Sequence, residues 1–118
     1  MNGQLTPILL NLVAAVLGAF GQYAYKKGSA QVGQVSILQN YSIWIGVLLF
    51  CGVMVLFVLA YKMGGRISVV YPFYATTFIW GALIGFYLEK EPFHWTIVGG
   101  SLLIMLGLVV IARGSELI

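Results

Sequence analysis

The sequence predicts an all-α integral membrane protein, an up-down bundle of four transmembrane helices forming a single domain over residues 1–118. Three observations carry that prediction. Hydrophobic residues make up 61% of the chain and charged ones 8%, against ~25% charged in an ordinary soluble domain. Mean hydropathy is +1.00. Four separate runs are each long enough to cross the hydrocarbon layer, which takes about 20 mainly apolar residues in a helix. A soluble domain of 118 residues could not hide so much apolar surface, because small domains bury only part of what the unfolded chain exposes. Composition therefore excludes a soluble globular enzyme, a disordered tail and a nucleic-acid binder. The net charge of +3 comes from scattered Lys and Arg residues, not from the basic stripe that nucleic acid recognition needs.

The spans fall at about 6–26, 42–61, 67–88 and 96–112. The first connection is polar and rich in Gly, Ser and Gln. The second, Lys62-Met63-Gly64-Gly65-Arg66, reads as a tight turn. The third, 89–95, holds Glu89 and Glu91 and a proline that stops a helix. Short connections imply adjacent antiparallel helices. Tyr41, Trp44, Tyr61, Tyr87 and Trp95 fall near span ends, the membrane level that aromatic rings prefer. With both termini cytoplasmic, the inner side carries Lys62, Arg66 and Arg113 and the outer side Lys26, Lys27 and Lys90. The balance encodes orientation weakly. Either other cues settle insertion, or copies insert both ways and pair as an inverted dimer.

Polar residues inside the spans mark the candidate site. In the first span Asn11, Ala15, Gly18, Gln22 and Lys26 recur at helical spacing and share one face. Lys26 reads either as an end anchor that snorkels and pairs with Glu89, or as the mouth of a polar track with Gln22 one turn deeper. In the third span Tyr71 and Tyr74 share a face that Thr77 and Gly81 extend. Their hydroxyls suit a sugar or phosphate, while an interfacial aromatic cluster is the plainer reading. Pro72 marks a first turn or a kink. In the fourth span Gly100 and Gly107 flank Leu103, a seam that lets helix backbones approach, within the chain or between protomers.

No Asp or Glu lies deep in a span; Glu89 and Glu91 sit at a boundary and Glu116 in the tail. Trading a proton for a cation usually needs a buried carboxylate. Lys26, Lys62 and Arg66 near span ends favour an anionic headgroup instead. Cys51 is the lone cysteine and His94 the lone histidine, so no disulfide within the chain and no metal cluster is expected. No cofactor is expected, and with no nucleophile–base pair visible, no enzyme. The N-terminus lacks the Lys or Arg that opens a secretory signal, and its apolar run is too long for one.

These residues resemble the small four-helix branch of the drug/metabolite transporter superfamily. The chain is similar to the small multidrug resistance family in a first helix ending in lysine, a Tyr-centred third helix, and the pairing motif Gly100, Leu103, Ile104 and Gly107. That family's first-helix glutamate lies two turns before the lysine, where this chain has Gly18. It also resembles the EamA-like small subunits of the flippase for aminoarabinose-phosphoundecaprenol. The shared elements are Gly21, Gln22 and Lys26; Tyr71 and Pro72; Phe78, Ile79 and Trp80; and Glu91 and Pro92.

The second resemblance implies a bacterial inner-membrane flippase for a polyprenyl-phosphate-linked sugar lipid. It would work by alternating access as a homodimer, inverted or not, or as a heterodimer with a paralogue. In that reading Lys26 binds phosphate, Gln22 binds phosphate or a sugar hydroxyl, and Tyr71, Tyr74 and Thr77 line the cavity. Lys62 and Arg66 attract headgroups at the opposite face. The alternative is proton-coupled export of small organic cations, with Glu89 standing in for the missing carboxylate. A third possibility is a membrane subunit that scaffolds a glycosyltransferase.

Overall fold

The computed structural model describes residues 3–114; Glu116 lies outside the described residues. Five α-helices run in chain order: α1 (Leu5–Ser29), α2 (Tyr41–Lys62), α3 (Ile67–Phe73), α4 (Thr77–Tyr87) and α5 (Trp95–Gly114). A 3-10 turn, Tyr74–Thr76, joins α3 to α4, so the two make one continuous span. Four helical segments are thus long and apolar enough to cross a membrane, Leu5–Ser29, Tyr41–Lys62, Ile67–Tyr87 and Trp95–Gly114. These match the four runs read from the sequence, with boundaries shifted by a few residues. The largest shift is at the first span, where the helix continues past Lys26 to Ser29. Lys26 therefore sits in a last helical turn and not in a loop.

The break in the third span follows from Pro72, which has no N–H to give the helix ladder. The tighter turn comes directly after it, and there Thr76 Oγ1 donates to the Phe73 carbonyl at 3.1 Å. Polar connections are closed by side chains. Asn40 Nδ2 donates to the Gly28 carbonyl at 2.8 Å, and Trp44 Nε1 donates to the Ile37 carbonyl at 2.9 Å. At the other end of the molecule Gln4 staples α1 to the turn 63–66. Its Nε2 donates to the Gly64 carbonyl at 3.0 Å, and its Oε1 accepts from the Arg66 N–H at 2.8 Å. That turn depends on Gly64, whose φ of +93° suits a residue without a Cβ.

α1 and α2 interlock. Gly21 lies under the Phe50 ring and Gly46 under the Tyr25 ring. The two rings then stack with centroids 5.3 Å apart. A Cβ at Gly46 would fall 2.5 Å from Tyr25, so the glycine is what lets the helices approach. Gly28 meets Ile43, Gly21 meets Phe50 and Gly52 meets Leu17. One partner number rises as the other falls, so the helices are antiparallel. The turn 63–66 reaches at most ~14 Å extended, too short to recross a layer of ~30 Å, so the third span runs antiparallel to α2 and parallel to α1. Pro7 against Gly65 and Gly18 against the Tyr74 hydroxyl follow that direction.

The buried apolar centre is small: Ile8 of α1, Ala60 of α2, and Val69 and Val70 of α3, with Ile111 of α5 packed against it. α5 buries only Leu108 and Ala112. At its other end the loop is held by rings, Phe86 to Phe93 and Phe93 to Trp95, with centroids 5.2 and 5.1 Å apart. The molecule measures 51 × 36 × 16 Å between Cα extremes. The bundle is thus flattened. Spans apolar on all sides gain little by hiding from lipid, so close packing arises only where small residues permit it.

Candidate functional site

A cavity of about 120 Å³ opens between α1 and α4 at the end nearest the loop 88–94. It is lined by Ala19, Gln22, Tyr23 and Lys26 from α1, by Gly81, Ile84 and Gly85 from α4, and by Glu89 and Glu91. On α1, Gln22 and Lys26 are four residues apart and stack on one face. On α4, Gly81 and Gly85 repeat at the same spacing and leave the facing wall bare of side chains. The loop is wound back onto the end of α4. The N–H groups of Leu88 and Glu89 both donate to the Ile84 carbonyl, at 2.8 and 3.3 Å, and that of Glu91 donates to the Gly85 carbonyl at 2.9 Å. Lys90 completes the reversal with a φ of +56°, a left-handed conformation that costs a non-glycine residue ~1–2 kcal/mol.

The reversal turns both glutamates toward α1. Lys26 Nζ donates to Glu91 Oε2 at 2.5 Å and stands 3.9 Å from Glu89 Oε1. Among the described residues these are the ion pairs found, and both share Lys26. The Glu91 carboxylate lies over the bare backbone of Gly85, where a Cβ would fall 2.3 Å from its Oε1. The ammonium is thus answered by two carboxylates, and the cavity presents both signs of charge. Gln22 has no hydrogen-bond partner among the described residues, which leaves its amide free to bind a ligand. The group can hold an anion at Lys26 in exchange for a carboxylate, or an amine at Glu89 and Glu91. Among the described residues no three His, Cys, Asp or Glu side chains converge to hold a metal.

Beside the charged cavity the lining is apolar. Ile84 also lines a second cavity of about 220 Å³, with Val16, Phe20, Trp80, Leu83, Tyr87 and Leu88. Val16, Trp80 and Leu83 in turn line a groove of about 540 Å³ that continues along α1 and α4 to Leu12, Thr76 and Met105. A charged pocket at the end of the spans thus shares its Ile84 wall with an apolar cavity, and a larger apolar groove lies beyond that on the same two helices.

The structure gathers Gln22, Lys26 and Glu89, three of the residues expected from the sequence, in one place. The others lie elsewhere. Tyr71 and Tyr74 pack on Phe57 of α2, with ring centroids 5.7 and 5.1 Å from it, and the Tyr74 hydroxyl fills the space over Gly18. They do not line the charged cavity, and neither does Thr77; Thr76 is the threonine that faces the apolar trough. Lys62 and Arg66 are exposed at the opposite end, by the Gln4 staple. Asn11, Ala15 and Gly18 are buried, while Gln22 and Lys26 are exposed, so the polar stripe of α1 opens toward Lys26 as its spacing implies. On α5, Gly100, Leu103 and Gly107 are exposed, and a Cβ at either glycine would meet nothing within 4 Å. Ile104 is partly buried.

Glu91, Tyr23 and Gly85 belong to the cavity without having been expected there. Glu91 and Glu89 flank Lys90, and only the left-handed backbone at Lys90 brings both to the same side. Sequence spacing carries no signal of that turn. Compared with family models, with curated proteins and with solved structures, the chain matches none.

Proposed function

We propose that the chain is a membrane flippase that moves a polyprenyl-phosphate-linked sugar across a bacterial inner membrane, by alternating access in a dimer. The observation that carries this reading is a charged cavity, holding Lys26 and Gln22, placed next to apolar grooves along the same helices α1 and α4. A lipid-linked sugar has the same two parts, a charged polar head and a long hydrocarbon tail. The phosphate gains a charge-assisted hydrogen bond from Lys26, Gln22 reaches a phosphate oxygen or a sugar hydroxyl, and the tail stays in the trough, facing lipid. The open face of α5 at Gly100, Leu103 and Gly107 supports pairing with a second copy or a paralogue.

A second reading, export of small organic cations, draws on the two carboxylates beside Lys26. It lacks an acid deep in the membrane, because the place of such an acid on α1 is taken by Gly18 and covered by Tyr74. Mass spectrometry of lipids that co-purify with the protein separates the two. A polyprenyl phosphosugar is expected. Purification free of such lipid, with saturable binding of quaternary ammonium compounds, overturns the first reading in favour of the second.

A further inference from the structure

We infer that Glu91 is an internal stand-in for the ligand's phosphate: its carboxylate holds the anion position on Lys26, and a phosphate-headed lipid enters by displacing it and so frees the loop 88–94. The inference rests on the proposed function and adds how the site is kept closed and opened.

Three independent features place the carboxylate there. Lys26 Nζ donates to Glu91 Oε2 at 2.5 Å, closer than to Glu89 at 3.9 Å. Gly85 provides a seat, since a Cβ on it would overlap Glu91 Oε1. Lys90 adopts the left-handed φ of +56° that aims the side chain back toward α1. A carboxylate held in this way presents to the ammonium what a phosphate would present, two acceptor oxygens and negative charge. The pair is half exposed, with side chains 55% and 46% accessible. Exposed ion pairs are held weakly, so a competing anion can exchange with Glu91 without unfolding anything. The phosphodiester of a lipid-linked sugar carries one negative charge, as the carboxylate does, so the exchange is even in charge, and the monoester of phosphatidic acid carries more.

The consequence reaches beyond the pocket. The loop 88–94 is the link between α4 and α5, and α5 stands off from α4 across a cavity of about 440 Å³ reaching from Ile79 to Leu102. Lys26 ties that loop to α1, closely through Glu91 and more loosely through Glu89. Release of the tie lets the loop, and with it the near end of α5, move away from the trough. The ligand is assigned as a lipid and not free phosphate because apolar grooves lie beside the charged cavity along α1 and α4, where a hydrocarbon tail fits.

The test uses the full chain in phosphatidylcholine nanodiscs, with a spin label at His94→Cys in a Cys51→Ser background, read by electron paramagnetic resonance. In the otherwise unaltered chain the label is restrained. Phosphatidic acid added to the disc loosens it, and inorganic phosphate in the buffer does not. Glu91→Gln and Gly85→Ala loosen the label without lipid and bind phosphatidic acid about tenfold tighter, on the scale of one charge-assisted hydrogen bond no longer displaced. Gly85→Ala matters because it keeps every charge and needs only the tip of a flexible side chain to move. Lys26→Gln is loose from the outset and insensitive to lipid. A label indifferent to phosphatidic acid, or a Gly85→Ala variant that binds no tighter, overturns the inference. Release by inorganic phosphate alone overturns its lipid assignment. Translocation of a polyprenyl phosphosugar is measured separately. Its absence beside a phosphatidic-acid response removes the flippase reading and leaves the exchange standing, while transport with an unmoved loop does the reverse.

Discussion

α1 and α5 are both long apolar helices, yet one is locked into the molecule and the other barely touches it. α1 meets α2 through glycine and aromatic pairs on each side, Gly21 under Phe50 and Gly46 under Tyr25, with the two rings stacked. α5 has glycines too, but nothing approaches Gly100 or Gly107, and Leu103 is 70% exposed. The difference teaches that a small residue in a membrane helix permits close approach without causing it. Dispersion contacts must fill the space from the other side. α1 has that partner within the chain. α5 leaves its equivalent face open.

The largest effect should come from filling a locked glycine. Gly46→Leu pushes into the Tyr25 ring and toward the Gly21 carbonyl, and overpacking of this kind costs ~1–3 kcal/mol. The free energy of detergent-induced unfolding should fall by that amount and the midpoint with it; an unchanged midpoint would show that the interlock is slack. Next comes the Gln4 staple. Gln4→Ala leaves the Gly64 carbonyl and the Arg66 N–H without their side-chain partner, a loss of about 1–2 kcal/mol in the same assay, with faster proteolysis at the turn 63–66.

Asn11 sharpens the comparison from within α1. It is fully buried, and neither amide atom has a partner among the described residues. Asn11→Leu, which has the same branching and number of side-chain heavy atoms, should stabilise by ~1 kcal/mol by removing a desolvated amide; destabilisation would mean that the amide is bonded where it stands or that the bulkier methyl groups do not fit. The smallest effect belongs to α5. Gly100→Leu should change unfolding of the protomer by less than about 0.5 kcal/mol, as substitutions away from packed features do. Cross-linking should show weakened self-association, if the open face is the pairing face of the proposed dimer.

Much of this was legible in the sequence. The four spans follow from apolar length alone, a signal that tertiary packing cannot override in a membrane. Lys26 with Gln22 was legible because polar residues are rare enough in such a chain to stand out and i, i+4 spacing places the two on one face, and Glu89 because it falls on the same membrane side as Lys26. Three things were not. The flattened layout escaped because spans apolar on every side carry no periodic face to say which neighbour they touch. The direction of Tyr74 escaped because sharing a helix face with Tyr71 does not reveal that Gly18 opposite leaves a slot for its hydroxyl. The approach of Glu91 escaped because it rests on a left-handed backbone at a lysine, a conformation that sequence does not favour there.

The central claim, that the Lys26 end of the α1–α4 cavity receives the headgroup, is tested most directly by translocation of a polyprenyl phosphosugar into proteoliposomes. Lys26→Ala should slow transport at least about tenfold, the effect of losing a charge-assisted hydrogen bond, at unchanged protein level. Lys62→Ala at the opposite end should slow it far less. Equal rates in the native chain and Lys26→Ala would contradict the account.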